Sequence, residues 1–161
     1  LVPQTQLGFA GAITKIEWEA GNDFSNAPYR QFELRLCHTP LSELTANFAD
    51  NYGGNTPVLA HAANPLLLAG TADSWFGFDL TTSFDYDNAR NLIVELRWNN
   101  GQVETEVRNW GHDAGQNYGL ISKVYEGTSG NLFSTICRFR FTYDDQAVEP
   151  TSLGRVRALY R

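Results

Sequence analysis

Alternation of apolar and polar residues with a period of two constrains this chain more than any other feature, because it demands strands with one buried face. In "RQFELRLC" Phe32, Leu34 and Leu36 fall on one face, with Gln31, Glu33 and Arg35 on the other. In "NLIVELRW" the apolar set is Leu92, Val94, Leu96 and Trp98. In "FSTICRFRFTY" it is Phe133, Thr135, Cys137, Phe139, Phe141 and Tyr143. Further strands are predicted over residues 12–19, 74–80, 102–109, 120–125 and 154–161.

Turn chemistry separates these runs. Ala20-Gly21-Asn22-Asp23, Asp85-Tyr86-Asp87-Asn88, Asn99-Asn100-Gly101 and Thr128-Ser129-Gly130-Asn131 carry residues that tolerate positive φ or bond their own backbone, and "RWNNGQVE" reads as a hairpin. Some eight strands with few helical segments predict one all-β domain over residues 1–161, a two-sheet antiparallel β-sandwich of jelly-roll type. One short helix is expected near 40–48. Thr39 can cap it, Pro40 suits its first position, and Leu41, Leu44, Thr45 and Phe48 share a face. Residues 1–8 (Leu1, Val2, Pro3, Gln4, Thr5, Gln6, Leu7, Gly8) read as an edge strand or an extended arm that pairs with another chain.

A net charge of −6, with only Lys15 and Lys123 as lysines, excludes the clustered cations that nucleic acid requires. No run approaches 18 apolar residues, so no membrane-spanning helix is expected. The chain contains no methionine, which predicts a processed, exported product. Export permits a disulfide between Cys37 and Cys137; closing a loop of about 100 residues is worth on the order of 4 to 5 kcal/mol in the chain-entropy treatment. Two buried free thiols are the other reading. Cys37 sits on the polar face of its strand and Cys137 on the apolar face of its own, so a bridge needs a bulge or a strand end.

Catalytic signatures are sparse. Cys37 and His38 are adjacent on a strand and point to opposite faces, which keeps an imidazole from serving that thiol as base. His38, His61 and His112 lack zinc-site spacing. Oxygen ligands for calcium cluster weakly at Asp85, Asp87 and Asn91, and at Asp144 and Asp145; turn formation is the competing role. No cofactor is implied. Glu104 and Glu106 share one strand face roughly 7 Å apart by strand rise, a spacing open to glycosidase carboxylates and equally common on a solvated face. The richest polar-aromatic stretch is "RNWGHDAGQNYG", residues 108–119. Its Trp110, His112, Asp113, Gln116, Asn117 and Tyr118 are the types that stack on and hydrogen-bond to sugars or an extended partner.

Leu36, His38 and Thr39 at a strand corner, then Trp75, and Phe84, Tyr86, Asp87, Asn91 and Leu92 in an F-x-Y-(D/N)-x-x-x-N-L pattern form a recognisable series over about 65 residues. The series resembles β-sandwich modules of secreted and surface proteins of Bacteroidetes-like bacteria, including cargo of the type IX secretion route. The resemblance implies a non-catalytic binding or structural unit. Together these readings favour a secreted structural or adhesive subunit of a cell-surface assembly, self-associating through residues 1–8, with a filament built by N-terminal strand donation as one form of it. A carbohydrate-binding module and a jelly-roll glycosidase are the second and third alternatives.

Overall fold

The computed structural model of the chain describes residues 1–99 and 106–144. The expected strand at 154–161, the first half of the strand at 102–109, the turn of the "RWNNGQVE" hairpin, Glu104 and Asp145 lie outside them.

Twelve strands are described: β1 (Gly11–Glu19), β2 (Phe24–Tyr29), β3 (Phe32–Thr39), β4 (Val58–Ala63), β5 (Leu66–Gly70), β6 (Trp75–Tyr86), β7 (Asn91–Arg97), β8 (Gly111–Asp113), β9 (Gly119–Ile121), β10 (Asn131–Phe133), β11 (Thr135–Cys137) and β12 (Phe139–Asp144). The fold is all-β and antiparallel, a sandwich whose principal sheets run β12-β1-β6 and β4-β3-β7. The pairs β2-β5, β9-β10 and β8-β11 flank them. Between the principal sheets one apolar cluster joins Ile13, Ile16 and Trp18 of β1 and Phe76, Phe84 and Tyr86 of β6 to Leu34 and Leu36 of β3 and Leu92 of β7. Period-two reading therefore identified the inward faces of β3 and β7.

β1 buries both Ile13 and Ile16, which simple alternation forbids. Its register against β12 runs Ile13↔Tyr143 and then Lys15↔Thr142, so Thr14 is an extra residue that switches which face the strand presents. Against β6 the same point leaves four residues, Leu80 to Ser83, opposite Thr14 alone. In that excursion the Thr81 hydroxyl donates to the Ala60 carbonyl at 3.0 Å, tying β6 to β4. The run expected as one strand over 133–143 is divided into β10, β11 and β12, which pair with three different partners.

Residues 40–48 are not helical; the helical turn falls later, as a 3-10 turn at Ala49–Tyr52 ended by Gly53 at φ 60°. Backbone bonds to distant segments decide this. Leu44 N–H donates to Asn117 C=O, Phe48 N–H to Thr128 C=O, and Ala46 C=O accepts from Gly130 N–H. The buried Asn51 side chain also bonds the backbone of Thr45 and Asn47, supplying locally the partners a helix would have supplied.

Cys37 and Cys137 are free thiols, so the expected disulfide is corrected. Cys37 lies opposite Ile93 and joins a second small cluster with Leu1, Leu44 and Ile93 on the far side of β3, whereas Cys137 packs against the main core. The opposed faces visible in the sequence are retained, and no bulge brings the two sulfurs together.

Candidate functional site

β12 is hydrogen-bonded to β1 along one side, from Trp18↔Phe139 to Ala12↔Asp144. Among the described residues no strand pairs with its other side. Its odd-numbered side chains turn toward the core: Phe139 and Phe141 pack against the main cluster, and Tyr143 stacks on Phe9 at 3.9 Å between ring centroids. A 480 Å³ trough runs along this edge, with Leu7, Phe9, Phe139, Phe141 and Tyr143 in its lining.

The even-numbered side chains face outward. Arg140 donates two bonds to Glu17, at 2.6 and 3.0 Å, and its guanidinium lies 5.0 Å above the Trp75 ring. Lys15 completes the cluster at 3.0 Å from Glu17. The Arg140 bonds hold the Glu17 carboxyl down to about 2, against burial that alone would raise it and with help from Lys15. One step along, Arg138 donates to Glu19 at 2.8 Å. Both arginines are thus drawn back over their own sheet.

Of the 108–119 loop, Trp110 and His112 reach this region, His112 as part of the trough wall with Trp75 and Arg138. The Trp110 indole N–H donates to Asp73 at 2.8 Å while the ring stays 46% exposed. Asp113 accepts from Gly115 N–H in a local turn. Asn117 and Tyr118 go elsewhere: the Asn117 carbonyl holds Leu44, and Tyr118, its hydroxyl donating to Gln116, packs on the second cluster. The loop is divided between two surfaces.

Residues 1–8 are docked on their own chain, which corrects the extended arm. Leu1 and Val2 are buried, and Val2 exchanges two backbone bonds with Leu92, at 2.8 and 2.9 Å. After Pro3, Gln4–Leu7 form one helical turn closed by Gly8 at φ 66°, with Thr5 and Gln6 exposed. Gln4 bonds Asn88 and Asn91.

The calcium candidates perform turn work. Asp87 accepts from the Ala89 and Arg90 amides and from the Arg90 side chain, and these bonds lower its pKa although burial acts the other way. Asn91 bridges Gln4 and Leu41. Asp85 pairs with Ala12, one residue before the strip of β6 that pairs with β1 ends at Tyr86. His38 packs on Phe84 and Tyr86 and accepts the Asp87 amide at 3.3 Å, so these four residues form one corner where β3 meets the end of β6, while Trp75 stands at the strand's other end. Glu106 is exposed and paired with Arg108.

Two features escaped sequence reading. A 170 Å³ apolar cavity opens beside β7, lined by Leu44, Phe48, Ile93, Leu120, Phe133 and Ile136, with Glu95 at its wall. Glu95 is 8% exposed and accepts from Tyr52 at 2.5 Å and Arg97 at 2.8 Å. Burial and the Glu95 carboxylate push the Tyr52 hydroxyl up to about 12. The signal was Ile93, an apolar residue on the otherwise polar face of β7. The second feature, a side of β12 without a strand partner among the described residues, depends on strand order, which alternation does not encode.

Compared with known proteins, the chain matches no family model, no curated protein and no solved structure.

Proposed function

We propose that this domain is a non-catalytic structural or adhesive unit of an extracellular assembly, and that it works by adding a strand to the side of β12 that has no strand partner among the described residues. That edge carries the reading. A strand with one unpaired side offers a row of N–H and C=O groups, and β-augmentation is the interaction this row makes most readily. Natural edges are guarded by lysine, proline or a bulge. Phe139–Asp144 contains no lysine or proline, and the bulge at this point belongs to β1. Because residues 1–8 are engaged in cis, the contact belongs to β12 and not to the N-terminal segment. The extracellular placement rests on the resemblance to surface modules and draws no support from the unbridged cysteines. Light scattering after size exclusion tests the assembly: species heavier than the 18.0 kDa chain are expected, and a monomer at every concentration up to the millimolar range overturns it.

A second reading is favoured by Trp110, whose ring is exposed while Asp73 fixes its orientation. An exposed aromatic face held in one orientation suits stacking on a sugar ring. Glycan-array binding that Trp110→Ala abolishes is the expected result for a carbohydrate-binding module, and a blank array removes that reading.

A further inference from the structure

We propose that the partner of β12 is β12 of a second copy of this chain, paired antiparallel about a two-fold axis at Phe141. The inference rests on the assembly reading above and names its partner and register.

An antiparallel pair centred on Phe141 sets residues opposite whose numbers sum to a constant. Phe141 faces its own copy, Phe139 faces Tyr143, Arg140 faces Thr142, and Arg138 faces Asp144, each of the last three twice. Directly opposite residues share a face of the sheet. Aromatics therefore meet on the core side, at the trough, while opposite charges meet on the outer side with no like pair opposed. The strand is complementary to itself.

Neighbouring registers are poorer. Centring on Arg140 opposes two guanidinium groups. Centring on Thr142 keeps an Arg140–Asp144 match but sets Thr142 against itself and takes Arg138 away from Asp144. The arginines leave room for the approach, because Glu17 and Trp75 hold Arg140 over the sheet and Glu19 holds Arg138. An isologous contact of this kind closes as a dimer with six strands across the joined β6-β1-β12 sheets.

Thr142 is the discriminating position. It is exposed, and the contact it makes to Thr14 uses its backbone carbonyl, so side-chain replacement leaves the fold intact. In the proposed register Thr142→Lys places a cation opposite Arg140 twice, and Thr142→Glu places an anion there twice. Cross-strand charge pairs are modest singly, so two symmetric copies shift the dimer Kd about tenfold, weaker for Lys and tighter for Glu.

The experiment measures the dimer Kd of the full chain and both variants by sedimentation, with hydrogen exchange followed across a concentration series. The proposal expects that opposite response, together with β12 amides whose protection rises with concentration. Weakening by both substitutions indicates the Thr142-centred register and overturns the proposal, as does indifference to both; in either case assembly itself stands. Protection of the whole β12 edge that does not change with concentration means the edge is covered within one chain, and also overturns it. A monomer throughout removes both this inference and the assembly reading.

Discussion

His61 carries an unusual burden for a single side chain. Its ring lies between Phe78, 4.5 Å away, and Phe32, and neither buried ring nitrogen makes a well-formed hydrogen bond. Burial pushes its pKa below the ordinary value, and the nearby Asp79 backbone offsets this only in part. A lowered folded value means that the neutral form is the one the fold accepts. Stability is then complete above the unfolded histidine value of about 6.5 and declines as pH falls below it toward the folded value. His61→Phe removes the orphaned nitrogens while keeping the ring, so it should be neutral or stabilising at pH 7 and distinctly stabilising at pH 5. Urea midpoints at the two pH values check this. Gly77 is constrained by space. A Cβ there would lie 2.0 Å from the Ile16 carbonyl oxygen and 2.7 Å from the Glu17 Cα, both backbone atoms that must shift. Gly77→Ala should cost about 2 kcal/mol, read as a lower urea midpoint at unchanged slope. Neither effect was legible in the sequence, since His61 and Gly77 acquire these surroundings from strands paired across the sheets.

Elements were read well where the alternating apolar residues all met the main core, even though Cys37 and Ile93 bury part of the opposite face. β3 and β7 kept their predicted faces because the main cluster lies on one side of each. β2, β4 and β5 were missed for local reasons: β2 contains Pro28 and carries Asn26 at φ 51° in a bulge, while β4 is rich in alanine and β5 in leucine without alternation. The segment at residues 1–8 had the composition of an arm, and only its burial shows which chain it serves. Leu1 and Val2 are almost fully covered, and burying two such side chains is worth roughly 3 to 5 kcal/mol. Deleting residues 1–8 should therefore lower the unfolding free energy by about that amount. Association through β12 should persist in the truncated chain wherever it stays folded, as sedimentation at low temperature can establish; loss of association without loss of fold would return the contact to the arm.

For the whole molecule, one cluster contains residues from β1, β2, β3, β4, β6 and β7, so no described boundary divides the core. Long-range pairing of β1 with β12 and of β3 with β7 further ties distant segments together. Unfolding should be a single transition: tryptophan fluorescence and far-UV circular dichroism should give coincident urea curves. Separated curves would show that the β8–β11 region, with its exposed Trp110, melts apart from the main sandwich.

The sequence by itself determined the class of the fold and the inward faces of β3 and β7, because alternation with period two follows from pleat geometry and water's exclusion of apolar surface. Its turn residues also marked the Asp87 corner, since an Asx side chain bonds its own backbone whatever surrounds it. The tertiary structure decided the rest. Whether 40–48 became a helix depended on carbonyl and amide partners at Asn117, Thr128 and Gly130, and whether residues 1–8 were arm or core depended on a cover over β7. Which strand has a side without a partner among the described residues depended on sheet order, and each of these outcomes is set by contacts between residues far apart in the chain, about which local periodicity carries no information.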